Sequence, residues 1–232
     1  MNELRVIAVP GLPEIVPGDD LASMVADAAT YETHDVVVVT QKVISKAEGR
    51  IVKIDTEDPR GHKAIVEDES VRILRRRGEL IISETTHGFV CANAGVDLSN
   101  VQAGHAALLP VDSDRSARRI RDVIRARHGV EVGVIVSDTF GRPWRRGVTD
   151  VAIGSAGIGP IRDLRGTQDS LGRELQVTEV AVVDEIAAAA DLVMGKSTGS
   201  AIAIVRGIPA DWFRKGSVVD EIVRKPHDDL FR

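Results

Sequence analysis

Residues 130–150 read VEVGVIVSDTFGRPWRRGVTD, and they contain the sharpest change of character in the chain. The segment Val130–Ser137 is rich in valine and isoleucine, which predicts a buried strand. Asp138 and Thr139 follow directly, so a carboxylate and a hydroxyl stand where the predicted strand ends. Oxygen ligands of this kind suit Mg²⁺ or Mn²⁺ better than Zn²⁺. The stretch therefore predicts a strand of the core and a metal site at its carboxyl end.

An arginine-rich loop is predicted after this strand. Trp144 lies between Arg142 and Arg145 in a chain in which aromatic residues make up only 3%. A guanidinium holds a carboxylate or a phosphate through paired, charge-assisted hydrogen bonds. We predict catalytic roles for Asp138, Arg142 and Arg145, with the arginines holding an acceptor carboxylate or charge that develops in the transition state. A plain surface turn is the alternative.

The rest of the chain alternates between strand-like and helix-like segments without a regular βαβ order. Strands are predicted at Leu4–Val9, Asp35–Thr40, Glu79–Ser83, Gly88–Ala92, Ala106–Pro110 and Ala201–Arg206, and helices at Asp19–Thr30, 58–78, Arg115–Arg127 and Thr178–Met194. We interpret the arginines of 58–78 as a solvated face, with phosphate binding as the alternative. Neither GxxxxGK[ST] nor a GxGxxG that opens a helix is present. We predict an α+β fold with a mixed sheet, of neither the P-loop nor the Rossmann type, in one domain over residues 1–232 or in two intertwined subdomains.

The charge balance and the cysteine count exclude several classes of protein. The chain has 30 Lys and Arg against 35 Asp and Glu, and its net charge of −5 has the wrong sign for a protein held to nucleic acid by phosphates. The single cysteine, Cys91, excludes an intramolecular disulfide. The sequence shows neither a signal peptide nor a run of about 18 apolar residues. We therefore expect a cytoplasmic protein that binds neither a membrane nor nucleic acid.

A second group of polar residues follows the predicted strand Asp35–Thr40. Gln41, Lys42 and Lys46 come directly after this β-branched run. Side chains beyond the carboxyl end of a buried strand commonly line a crevice for a ligand, and lysine suits an anionic one. These residues are therefore candidates for binding an anion. The alternative is a strand-to-helix turn with two solvated lysines.

A third group lies in the segment Cys91–Asn100, whose sequence is CANAGVDLSN. Its small residues allow the backbone to approach a ligand closely, and Asp97 and Asn100 stand three residues apart in a predicted turn. Such residues also hydrogen-bond their own backbone in turns, so a turn without a ligand is the alternative.

Five stretches, taken in chain order, carry a resemblance to a known family. They are Gly11–Ile15 (GLPEI), Gln41–Arg50 (QKVISKAEGR), Ala94–Asn100 (AGVDLSN), Ser137–Gly154 (SDTFGRPWRRGVTDVAIG) and Thr178–Gly207. The strings SKAEGR and SDTFGRPWR are long and unusual. Together the stretches resemble the coenzyme F420-0:L-glutamate ligases, also called γ-glutamyl ligases.

This resemblance implies an activity, a fold and partners. It implies a GTP-dependent amide ligase that adds L-glutamate to the carboxylate of F420-0 and releases GDP and phosphate. It also implies a mixed α+β fold particular to the family and a homodimer. One or two Mg²⁺ or Mn²⁺ ions per site would take part, with K⁺ as a further candidate cation.

The resemblance also implies roles for residues in this chain. The residues that would contact GTP are Leu12, Pro13, Glu14, Ile15, Gln41, Lys46 and Asn100, together with Gly195, Lys196 and Ser197 from a loop, about Met194–Ala201, that would close over the nucleotide. Asp97 and Asp138 would share one divalent ion, and Thr139 would touch a second. Lys46 would also act in catalysis, because it adds a fixed positive charge beside the phosphates.

The string Gly195-Lys196-Ser197 departs from the pattern of archaeal-type members, which carry an acidic residue in a Gly-Glu-Ala string. A protonated lysine cannot bind a cation. The second metal site is then incomplete, or another group such as Glu14 or the phosphates completes it. We expect Lys196 to act on anionic oxygens of the nucleotide.

Two other functions remain open at this point. A metal-dependent GTP phosphohydrolase would also use two aspartates and a threonine at strand ends. A nucleotide-binding regulatory module would bind GTP without turnover.

Overall fold

The computed structural model describes residues 3–55, 57–195 and 199–229. In chain order its strands and helices are β1 (Arg5–Val9), α1 (Leu21–Ala28), β2 (Val36–Thr40), α2 (Gln41–Ala47), β3 (Ile51–Lys53), α3 (His62–Asp68), β4 (Ser70–Arg77), β5 (Leu80–Thr85), β6 (Val90–Ala92), β7 (His105–Ala107), α4 (Ser113–His128), β8 (Gly133–Arg142), β9 (Arg145–Ala156), β10 (Arg162–Asp163), β11 (Glu179–Val180), α5 (Val182–Met194), β12 (Ile202–Arg206) and α6 (Val218–Glu221). The predicted mixed α+β class is confirmed.

A five-stranded mixed sheet in the order β1-β12-β2-β8-β9 forms the centre of the fold. Only β2 and β8 pair in parallel, and the other neighbours are antiparallel. The middle strand β2 has four consecutive valines, Val36–Val39, and all four are fully buried. A continuous β-branched run is typical of a strand covered on both faces. The end of β2 at Thr40 lies beside Ser137, in the middle of β8.

Helices α4 and α5 pack against this sheet and α1 packs on α4, and the expected helix at Arg115–Arg127 is confirmed as α4. The side chain of Asp112 caps the N-terminus of α4 by accepting a hydrogen bond of 2.8 Å from the Arg115 N–H. Gly129 ends the helix in the left-handed conformation, with φ of 68°. In the described part of the chain, no helix has the length and apolar character needed to cross a bilayer.

The predicted helix at 58–78 is wrong over its second half. Helix α3 ends at Asp68, and residues 70–77 form β4, which pairs antiparallel with β5. Gly78 has φ of 57°, a conformation that glycine adopts without strain, so the chain reverses tightly into β5. The apolar residues of β4 have helical spacing, but the segment forms a strand because its backbone hydrogen-bonds to β5 rather than within a helix. Its arginines are exposed, in agreement with a solvated face.

The predicted loop after Ser137 is also wrong. Strand β8 continues to Arg142, and the glycine-rich stretch that follows forms the long strand β9. The two strands make a hairpin whose turn contains Trp144 with φ of 56°. Asp138 and Thr139 therefore lie inside a strand, because β9 supplies the hydrogen-bonding partners that a loop would lack. The register pairs Thr139 with Asp150.

A smaller part of the fold contains the three-stranded sheet β4-β5-β6 and the pair β3-β7. It has an apolar cluster of its own, formed by Val66, Ile81, Ala94, Val96, Ala106 and Leu108. This part delivers Asp97 and Asn100 to the edge of the central sheet, as described next.

Candidate functional site

A cleft of about 390 Å³ opens where β2 ends, beside residues 137–139 in the middle of β8. The cleft brings together most of the residues singled out in the sequence: Leu12, Pro13, Glu14, Ile15, Gln41, Lys46, Asp97, Asn100, Asp138, Thr139 and Gly195. These residues come from five separate segments of the chain. Lys196 and Ser197 lie outside the described residues.

Gln41 is the first residue of α2 and faces the cleft directly after β2. Its side chain is buried, and its Oε1 accepts a hydrogen bond of 2.8 Å from the Ser45 hydroxyl. Its Nε2 has no hydrogen-bond partner among the described residues. A buried amide nitrogen left without an acceptor is costly, so the site favours a ligand that brings an oxygen to this point.

Two lysines of α2 are largely covered rather than solvated. Lys46 is 15% exposed, and its Nζ lies 2.5 Å from Oε1 of Glu14. Lys42 is 17% exposed, and its Nζ donates to Oδ2 of Asp97 at 2.6 Å and to the carbonyl of Ser99 at 2.8 Å. The turn with two solvated lysines is therefore excluded, and two cations stand at the cleft.

The turn that carries Asp97 is tight. Ala94 and Gly95 have φ of 52° and 71°, and a Cβ on Gly95 would lie 2.7 Å from Cγ of Leu109. Asp97 then accepts the Ser99 N–H at 2.7 Å, which is the local turn that the sequence left as an alternative. The Asp97 carboxylate also faces the cleft, so it stabilises the turn and is at the same time available to a ligand. Burial by itself would raise the pKa of Asp97, but the bonds from Lys42 and Ser99 hold it below its usual value.

Asp138 has a strongly perturbed carboxyl group in the cleft. Its pKa is raised to about 7, mainly by removal from water and further by the nearby carboxylates of Asp150 and Asp97. The backbone N–H of Thr139 and the ammonium of Lys42 act in the opposite direction. A strongly shifted carboxyl group in a cleft is typical of a functional site.

Asp150, which the sequence reading missed, lies opposite Thr139 on β9. It is 3% exposed and lines the cleft. Its Oδ1 accepts from the Thr139 hydroxyl at 2.6 Å, and its Oδ2 accepts from the Ser137 hydroxyl at 2.8 Å. A polar residue at the start of the apolar run VAIG could have indicated it, but only if β9 had been predicted.

Comparisons with known proteins identify the family of the chain. The F420-0:Gamma-glutamyl ligase family matches residues 11–207. The chain belongs to this family. It is 42% identical to the coenzyme F420:L-glutamate ligase of Methanopyrus kandleri, over 99% of this chain and 98% of the relative. It is 40% identical to the enzyme of the same name from Methanothermobacter thermautotrophicus, over 99% of both chains. It is 39% identical to that from Haloarcula marismortui, over 99% of this chain and 96% of the relative.

The acidic wall of this ligase-family cleft fits a hard divalent cation in its chemistry. Asp97, Asp138, Asp150 and the Thr139 hydroxyl all offer oxygen, the donor that Mg²⁺ and Mn²⁺ prefer. A cation would also relieve the repulsion that contributes to the raised pKa of Asp138. Within the described ranges no three acidic, histidine or cysteine side chains converge closely enough to hold an ion. Asp97 is hydrogen-bonded to Lys42 in this arrangement.

Two residues that we predicted to act in catalysis lie away from the cleft of their own chain. Arg142 and Arg145 are exposed at the end of the β8–β9 hairpin, where Arg142 donates to the carbonyl of Arg146 at 3.0 Å. Trp144 beside them is 84% exposed. Their catalytic role stays a prediction.

The cleft also has lining residues that the sequence reading did not select. They are Thr40, Val43, Ser99, Ser137 and Asp191, whereas the further lining residues Gly199, Ser200 and Ala201 belong to the loop expected to close over the nucleotide. Asp191 comes from α5, and the last three precede β12. All of these residues except Thr40 lie within the stretches that carry the family resemblance, so those stretches could have indicated them.

Proposed function

We propose that this protein is a GTP-dependent ligase that joins L-glutamate to the carboxylate of F420-0. The observation that carries the proposal is the meeting of two lysines, an amide donor with no partner among the described residues and five carboxylates in one cleft. The family and the relatives named coenzyme F420:L-glutamate ligase support the choice of substrates.

The reaction has two balanced steps. A carboxylate oxygen of F420-0 attacks the γ-phosphorus of GTP, the bond to the β,γ-bridging oxygen breaks, and GDP leaves. The product is an acyl phosphate, in which the carboxyl group has gained a leaving group. The free amine of glutamate attacks the acyl carbon, the carbon–oxygen bond to phosphate breaks, and the nitrogen loses a proton as the amide forms.

The residues of the cleft have distinct roles in this proposal. Lys46 binds the phosphates as a fixed charge, and Gln41 donates its free Nε2 hydrogens to a nucleotide oxygen. Asp97, Asp138 and Thr139 would hold Mg²⁺ or Mn²⁺. When bound, the metal neutralises charge on the β- and γ-phosphates. The chain's own task is therefore mainly positioning and charge compensation.

We also propose that the protein acts as a homodimer. Arg142 and Arg145 lie outside the cleft of their own chain, so a catalytic role for them requires a second copy to receive the hairpin tip. There an arginine would hold a substrate carboxylate in a paired geometry.

The test is a reconstituted assay with GTP, Mn²⁺, F420-0 and L-glutamate. We expect F420-0 to gain the mass of one or more glutamyl residues, with one GDP and one phosphate formed for each. Omission of GTP should abolish the product. Phosphate release from GTP in the absence of F420-0 and glutamate would instead favour a phosphohydrolase, and GTP binding without any turnover would favour a regulatory module.

A further inference from the structure

Asp150 is a buried carboxylate whose environment the fold alone does not explain. It is 3% exposed, and no ion pair to it is found in the described part of the chain. Its two partners are the side-chain hydroxyls of Ser137 and Thr139. Both hydroxyls line the same cleft as Asp150. Burying a carboxylate without a cationic partner costs free energy, and this cost points to a role for Asp150 beyond folding.

Asp114 shows what a structural carboxylate looks like in this protein. It is 4% exposed and accepts backbone N–H groups of Ser155 at 2.7 Å, Val218 at 3.0 Å and Val219 at 3.4 Å. By accepting these bonds, Asp114 holds α4, β9 and α6 together and satisfies backbone N–H groups that would otherwise lack a partner. Among the described residues, the side chain of Asp150 accepts no hydrogen bond from a backbone N–H.

The hydrogen bonds to Asp150 determine which way the protons of the two hydroxyls point. The Ser137 hydroxyl donates to Oδ2 of Asp150, and the Thr139 hydroxyl donates to Oδ1. A hydroxyl has one proton, and in Ser137 and Thr139 that proton takes part in the hydrogen bond to Asp150. Only lone pairs remain to face the cleft. Lone pairs attract a cation and repel the oxygens of a phosphate.

We propose that Asp150 is a positioning residue that holds the hydroxyls of Thr139 and Ser137 as pure electron-pair donors and so aims Thr139 at a divalent cation bound with the nucleotide. The inference rests on the proposed function, because that function supplies the cation and the nucleotide. Groups that orient a metal ligand typically change metal affinity or activity by about 10- to 100-fold when they are removed.

The main test is Asp150→Asn, which keeps the size of the side chain. Its amide nitrogen donates, so at least one hydroxyl must turn its proton toward the cleft. We expect Mn²⁺ affinity in the presence of GDP, measured by electron paramagnetic resonance, to fall roughly 10- to 100-fold. We expect kcat to fall by a similar factor, while KM for F420-0 changes little. Asp150→Glu retains an acceptor and should keep more of the Mn²⁺ affinity than Asp150→Asn.

The matched control is Asp114→Asn, which removes charge from an equally buried carboxylate outside the cleft. It should lower Tm and leave Mn²⁺ affinity unchanged. If Asp150 had only a structural role, Asp150→Asn would likewise lower Tm and leave Mn²⁺ affinity unchanged. Unchanged Mn²⁺ affinity in Asp150→Asn therefore overturns the proposal.

A double-mutant cycle with Thr139→Val tests the route of the effect. If Asp150 acts through Thr139, the double variant should lose no more Mn²⁺ affinity than the worse single variant. Additive losses overturn the proposal. So does failure of both Asp150 variants to fold while Thr139→Val and Asp114→Asn fold, since Asp150 would then serve the hairpin. Absence of glutamyl product with the wild type overturns the ligase function, whereas Mn²⁺ affinity independent of Asp150 overturns this inference alone.

Discussion

The β8–β9 and β4–β5 hairpins have the same local form and very different chemistry. Both are antiparallel, and both carry several arginines. The base of β8–β9 is part of the central sheet, where Asp150 is buried and Asp138 partly buried, and where removal from water and the charge of Asp150 raise the pKa of Asp138. Strand β4 is exposed along almost its whole length, and its arginines form surface ion pairs with Glu67 and Glu84. Burial therefore decides which charged residues become reactive, because solvent screens the others.

The largest expected effect is at the base of β8–β9. Asp138→Asn removes a charge from the acidic wall, so we expect kcat to fall about 1,000-fold or more, as when a group that compensates transition-state charge is lost. Steady-state glutamyl transfer at saturating Mn²⁺ measures it. Asp163→Asn is the control, because Asp163 is exposed on β10 and paired with Arg165. Activity of Asp138→Asn close to that of the control would remove Asp138 from the site.

The second prediction compares a covered lysine with an exposed arginine. Lys46→Ala should weaken GTP binding by about 10- to 100-fold, because a charge-assisted bond to phosphate is lost. Calorimetric titration with GTP gives the Kd. Arg75→Ala in β4 removes the same charge from a solvated strand and should leave the Kd unchanged. Equal Kd values for the two variants would make Lys46 a structural residue only.

The third prediction concerns the tip of β8–β9. Arg145→Ala should lower kcat about 10-fold without lowering Tm, if the arginine reaches the cleft of a second copy. Mixing this variant with Asp138→Asn under subunit exchange should then restore activity, because one of the two clefts in a mixed dimer has all its groups. Activity that never exceeds the sum of the separate variants would contradict a role across the dimer.

The smallest expected effect is in β4. The Arg76 guanidinium holds the pKa of Glu67 below its ordinary value. A carboxyl group whose pKa is lowered by folding stabilises the protein at pH values above its pKa in the unfolded chain, which is about 4.3 for glutamate. That contribution is lost as the pH falls through the lower folded pKa. Arg76→Ala should therefore lower Tm slightly at pH 7 and not at all at strongly acidic pH. Thermal unfolding as a function of pH measures it, and an equal shift at both extremes would rule out the ion pair as the cause.

Local patterns predicted much of the fold and failed where pairing partners were distant. The valines of β2 and the capped helix α4 were recognisable because their patterns are local. Strand β4 was missed, since its apolar spacing also fits a helix and only β5 selects the strand. Strand β9 was missed because its glycines suggested a loop. Asp150 was missed along with β9.

The sequence by itself determined the chemical inventory of the site: Gln41 and Lys46 after one strand, Asp138 and Thr139 on another, and Asp97 in a turn of small residues. It could do so because each stands next to a recognisable strand or turn. Only the tertiary structure decided which groups face one another. The register of β8 and β9 brings Asp150 to the Thr139 hydroxyl, and the fold brings Lys42 to Asp97. Those contacts depend on pairing between residues far apart along the chain, which local sequence preferences do not encode.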